Sequence, residues 1–136
     1  MWLEPLGKFC FATSYHEGVL SQTISLRSFN IPEIFDKAKP QIHVGIWYAG
    51  RFDCGVKGSV RFTLLNQKGE PMDEFFQSLE IPQWQGGNWI PLVHTFTSYP
   101  EGLCKIQVHI SGKDTQFWAG HYGMKFCGAT VMITPP

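Results

Sequence analysis

Residues 112–120 run Gly-Lys-Asp-Thr-Gln-Phe-Trp-Ala-Gly, which sets two large rings, Phe117 and Trp118, side by side among turn-forming residues. Such residues push a segment to the surface. Adjacent rings in a loop seldom both find room in a core. Exposed rings beside hydrogen-bonding groups have the chemistry a sugar needs: an aromatic plane meets the apolar C–H face of the pyranose, and polar neighbours answer its hydroxyls. Gln116, Asp114 and Lys113 would supply that polar rim. The competing reading is structural, with Trp118 plugging one end of the fold, and composition alone favours it.

The remaining chemistry-bearing residues read as structure. Trp47, Tyr48 and Trp89 fall on strand patterns, with Trp47 and Trp89 expected in the core, whereas Trp84 sits in the loop 82–87 and stands apart. Arg51 and Asp53 flank Phe52 in a turn, where an Arg–carboxylate pair would pin the loop. A glycosidase would need two carboxyl groups facing each other across a cleft. Glu74, Glu80, Glu101 and Asp114 instead lie scattered over separate segments. The five histidines form no HxH, HxxxH or HExxH arrangement, and neither a Gly-x-Ser-x-Gly elbow nor a Gly-rich phosphate loop occurs. No catalytic residue, metal site or cofactor is therefore assigned. The four cysteines, Cys10, Cys54, Cys104 and Cys127, make no CxxC pair and are expected to be free, mostly buried thiols, with two disulfides as the alternative.

The elements that must position these residues are strands. Apolar and polar residues alternate at Ile42, Val44 and Ile46, at Val60, Phe62 and Leu64, and at Ile106, Val108 and Ile110. Strands are expected over 9–14, 19–26, 41–48, 59–66, 75–81, 89–97, 104–110 and 122–134. One helical turn is expected over 31–38, with Asn30 as its cap and Pro32 near its first position. Loops 15–18, 82–87 and 111–121 carry the aromatic candidates. About eight short strands separated by turns imply two packed sheets rather than βαβ units.

With 136 residues the chain suits one domain, and that length buries a core without help from metals or disulfides. Eleven basic residues balance eleven acidic ones, which leaves no basic excess for phosphate-dominated nucleic-acid binding. No apolar run approaches the roughly 20 residues of a membrane helix, so no membrane insertion is expected. No secretory signal or N-x-[ST] acceptor occurs, which favours the cytosol.

Four blocks in order resemble a known family. They are Phe11-Ala12-Thr13-Ser14-Tyr15; Trp47-Tyr48-Ala49-Gly50-Arg51-Phe52-Asp53-Cys54-Gly55; Trp89 with His94-Thr95-Phe96; and Asp114-Thr115-Gln116-Phe117-Trp118-Ala119-Gly120 with Tyr122-Gly123. Over residues 9–135 the chain resembles the F-box-associated domain of sugar-recognising F-box proteins, shared with the non-specific cytotoxic cell receptor protein group. The resemblance implies an all-β, antiparallel jelly-roll-like β-sandwich without a catalytic centre, which binds the inner chitobiose of high-mannose N-glycans at one end. It places the glycan-binding residues at Tyr15, Phe117, Trp118 and Ala119, and Gln116 and Asp114, polar neighbours of the rings, remain the candidate rim. N-linked glycoproteins are the implied partners, and an F-box elsewhere would recruit a ubiquitin ligase.

Two departures bear on affinity. Ala119 stands where the best-known member has lysine, and Phe117 replaces the tyrosine of the pair, so two side-chain donors to the sugar are missing. A buried sugar hydroxyl left unpaired costs about 1–3 kcal/mol, or roughly one to two decades of affinity. Ile46 replaces an aspartate common in the family, and Gly128-Ala129-Thr130 replaces Asn-Ser-Ser. Residues 1–136 are expected to form one such domain, lacking the family's leading segment and any F-box, so ligase components would be engaged only through an F-box absent from this chain. The alternatives are a protein-interaction sandwich that has lost sugar binding and, least supported, a small glycosidase.

Overall fold

The alternating patterns become eight strands in a computed structural model of the chain, which describes residues 11–26 and 32–135. The strands are β1 (Phe11–Ala12), β2 (Gly18–Ser25), β3 (Gln41–Ala49), β4 (Val56–Leu65), β5 (Pro71–Ile81), β6 (Ile90–Phe96), β7 (Lys105–Asp114) and β8 (Lys125–Thr134). A six-residue helix, α1 (Pro32–Lys37), joins β2 to β3. One sheet runs β1-β8-β3-β6 and the other β2-β7-β4-β5, with every pairing antiparallel. Among the described strands only β4 and β5 are both consecutive and paired, so the chain repeatedly crosses between sheets. The architecture is the all-β sandwich expected. The cap expected at Asn30 and the strand start at Phe9 and Cys10 lie outside the described residues.

The inward positions of the three alternating runs form the core. Ile42, Val44, Ile46, Val60, Phe62, Leu64, Ile106, Val108 and Ile110 are all buried, together with Phe126 and Val131 from β8. Burying each such side chain contributes about 1.5–3 kcal/mol, so the sandwich holds its loops on a rigid frame.

Strand β7 runs past the expected end at Ile110 because Gly112 breaks nothing. It pairs with Gly18 on one side and Gly58 on the other. A Cβ on Gly112 would stand 3.2 Å from Phe126 Cε2, one on Gly58 2.8 Å from Met124 Sδ, and one on Gly18 3.2 Å from Thr13 Cγ2. Three glycines abreast thus open the inner face of one sheet, Gly58 and Gly112 to Met124 and Phe126, both fully buried, and Gly18 to Thr13 and Phe11. Glycine serves here as space for a neighbouring side chain rather than as a turn.

Trp47 and Trp89 correct the expectation that both are core. They are 45% and 42% exposed. Ile42, Val44 and Ile46 take the inward positions of β3, which turns Trp47 outward over Gly128, where an added Cβ would lie 3.1 Å from Trp47 Cδ1. Trp89 immediately precedes β6, at the mouth of a loop.

Candidate functional site

Three loops are tied together where β7 and β8 leave the sandwich. Thr13 donates from its amide and from Oγ1 to the carbonyl of Met124 (3.2 and 2.8 Å) and accepts at its own carbonyl from the Gly123 amide (3.0 Å). The next carbonyl, on Ser14, accepts from the Asp114 amide at 2.9 Å. Residues 13 and 14 therefore hold both legs of the loop 115–124, and Tyr15 follows directly from that anchor. On another side the Thr115 amide donates to the Gly55 carbonyl (2.8 Å), and the Gly55 amide donates to Gln116 Oε1 (2.6 Å). The loop 50–55 is joined to the same root.

Asp114 sets the shape of the loop tip. It is fully buried, and its Oδ1 accepts from the amides of Gln116 (3.0 Å) and Phe117 (2.6 Å). Its Oδ2 is buried without a hydrogen-bond partner among the described residues. The bond to Phe117 holds that residue at φ +57°, a left-handed backbone that costs a non-glycine residue roughly 1–2 kcal/mol. The result is a ring aimed at solvent: Phe117 is 74% exposed. Trp118 is 37% exposed and meets the edge of Tyr122 at 5.9 Å and 88°. Tyr122 is backed by the Arg51 guanidinium, 4.8 Å from its ring centre, and Arg51 Nε pairs with Asp53 Oδ1 at 2.7 Å. The ion pair expected to pin this turn is present.

Gln116 is a clamp. Its Oε1 accepts from the Gly55 amide, from Thr115 Oγ1 (3.1 Å) and from the Cys54 thiol (3.2 Å). Burial and the nearby carboxylates Asp114 and Asp53 push the Cys54 thiol up, so it stays protonated and able to donate. Cys54 and Cys104 are free and buried.

The site residues expected from sequence thus fall into two groups. Tyr15 (39% exposed), Phe117, Trp118 and Ala119 lie on the outside of loops that share one anchor. Asp114 through Oδ1 and Gln116 through Oε1, both expected at a polar rim, bond instead within the loop root. Lys113 belongs to the outer face of the second sheet, where it pairs in register with Lys57 and lines an open groove of about 260 Å³ with Glu17, Ser59 and Ser111. The buttress that Tyr122 and Arg51 give Trp118 was missed by reasoning on spacing, because it joins two loops distant in sequence. Among the described residues no group of three His, Cys, Asp or Glu side chains could hold a metal, and no helix is long and apolar enough to cross a membrane.

The chain is similar to known proteins over nearly its whole length. F-box only protein 6 of Bos taurus is 37% identical over 126 residues, covering 91% of this chain and 48% of its own length. F-box only protein 44 of Homo sapiens is 34% identical over 128 residues, covering 93% of this chain and 50% of its own. The chain spans about half the length of these curated relatives. Among solved structures, that of the infectious bursal disease virus Gt strain superposes with a TM-score of 0.58 at 12% identity, over 99% of this chain and 32% of the viral one. That likeness is one of fold alone. The "F-box associated region" matches residues 3–133, nearly the whole chain, and with the relatives above it shows that the chain belongs to the F-box associated family.

Proposed function

We propose that the loop end carrying Tyr15, Phe117 and Trp118 binds the chitobiose core of high-mannose N-linked glycans, as the substrate-recognition part of a ubiquitin-ligase adaptor system acting on glycoproteins in the cytosol. The single observation that carries this reading is Phe117. A fully buried carboxylate holds it in a strained backbone, and the outcome is a large apolar ring turned to water beside a half-exposed tryptophan. Strain that exposes an apolar ring does nothing for stability, and such strain gathers at binding sites.

The tip 117–119 carries no side-chain hydrogen-bond donor except the Trp118 indole N–H, since Phe117 and Ala119 offer none. Recognition then rests on ring stacking with backbone polar groups, and its affinity is lower than a lysine and a tyrosine at these places would give. The test is a calorimetric titration of the chain with chitobiose. Binding in the micromolar to millimolar range is expected, with Trp118→Ala and Tyr15→Ala each weakening it about tenfold or more. No heat of binding at millimolar chitobiose would sink the reading in favour of a protein-interaction sandwich.

A further inference from the structure

We infer that Phe52 and Trp84 form a second aromatic subsite, which takes sugar residues of the same glycan lying beyond the chitobiose; the inference rests on the glycan reading of the first site. Trp84 is 69% exposed and Phe52 57%, and their rings lie 6.4 Å apart at 54°. Like Phe117, Trp84 is a non-glycine residue in the left-handed region, at φ +73°. Of the three such residues among those described, two thus carry exposed aromatic rings at loop tips, and the third, Lys39, donates from Nζ to the Tyr99 carbonyl.

The platform is built rather than loose. The Gly87 amide donates to the Gly50 carbonyl at 2.8 Å, the Gln85 amide to Pro82 at 3.1 Å, and Gln83 Nε2 to the Asp53 carbonyl at 3.1 Å. A Cβ on Gly86 would stand 2.6 Å from the carbonyl oxygens of both Gly50 and Arg51, so the two loops touch backbone to backbone. These bonds fix two apolar rings in water, where burial would have been favourable by about 25 cal/mol per Å².

The second platform shares the loop 50–55 with the first, since Gly50 accepts from Gly87 while Gly55 bonds to Thr115 and Gln116. Phe52 follows Arg51, whose guanidinium covers Tyr122, and Tyr122 meets Trp118 edge-on. Trp118, Tyr122 and the Arg51 guanidinium are thus in contact in turn on one side of this loop, and the Phe52–Trp84 pair starts at its next residue. The exposed polar residues Gln85 and Asn88 belong to the same loop as Trp84. Flat rings mixed with side-chain amides match a chain of hydroxylated rings; an apolar peptide would leave those amides unanswered.

The experiment titrates the full chain with chitobiose and, separately, with the pentasaccharide in which three mannoses extend that core. Wild type is expected to bind the pentasaccharide about tenfold more tightly. Trp84→Ala and Phe52→Ala, each checked by thermal unfolding, are expected to abolish that advantage and leave chitobiose affinity within twofold of wild type. An unchanged ratio of the two affinities in both variants overturns the inference while the first site stands, and so does a loss seen only with intact glycoprotein, which would assign the pair to polypeptide. Failure of wild type to bind either sugar overturns the first reading and the second with it.

Discussion

Removing the Asp114 carboxylate tests whether that buried group shapes the loop tip. In Asp114→Ala the amides of Gln116 and Phe117 lose their acceptor. Hydrogen bonds to a charged group are each worth about 1.5–3 kcal/mol net. Two terms oppose the loss. The buried carboxylate, one of whose oxygens has no partner, no longer pays its desolvation, and Phe117 is released from a left-handed backbone that costs roughly 1–2 kcal/mol. The balance is a destabilisation of about 2–3 kcal/mol. Asp114→Asn keeps Oδ1 as an acceptor and is expected to lose about 1 kcal/mol. Urea unfolding measures both, and hydrogen exchange reads the loop directly: the Phe117 amide, protected in wild type, is expected to exchange at least tenfold faster in the alanine variant and little faster in the asparagine one. Chitobiose affinity is expected to follow the exchange rate, because the Phe117 ring swings once its amide is free. Equal effects of the two substitutions, or an unprotected Phe117 amide in wild type, would refute this account of the loop.

Gly58→Ala brings a methyl group against Met124 Sδ and the backbone carbonyl of Ser111, and is expected to destabilise by about 1–3 kcal/mol in urea unfolding; a wild-type midpoint would show that the inner face has slack there. Burial and the nearby Asp36 push Tyr99 from 10.0 to about 12, and its hydroxyl donates to the Pro40 carbonyl at 2.7 Å. The neutral phenol is the form the fold favours, so its stabilisation of roughly 2–3 kcal/mol is whole below pH 10 and is lost as pH rises from there towards 12. Tyr99→Phe is expected to flatten that alkaline fall, and an unchanged slope would place its origin elsewhere.

The core was legible because period two is strict where one face is buried: Val60, Phe62 and Leu64 needed no structure to be placed inward. The limits of β7 were not. A glycine is written the same way whether it turns the chain or makes room for a ring, and only the opposite sheet, bringing Met124 and Phe126 over Gly112, decides between them. Trp47 failed for a related reason. Its own strand pattern already placed Ile42, Val44 and Ile46 inward ahead of it, so Trp47, the next residue after Ile46, had to face out, and ring size was a poorer guide than parity.

Side-chain chemistry was equally ambiguous in the loop. Asp114 and Gln116 carry the acceptors a sugar hydroxyl would want, and their place in a loop between glycines made them look like rim. A tight turn, however, frees its own backbone amides, and the nearest acceptors are drawn to those first. Asp114 answers the amides two and three residues on, and Gln116 answers Gly55 across the gap. What a loop shows to a ligand is then what its own backbone has not already claimed. By that rule Phe117, Trp118 and Ala119 face outward because they have no side-chain acceptor to spend on such amides, and an apolar tip on a polar root is the necessary outcome. The same division recurs at the second loop, where Gln83 binds back to Asp53 and Trp84, next to it, is left outside.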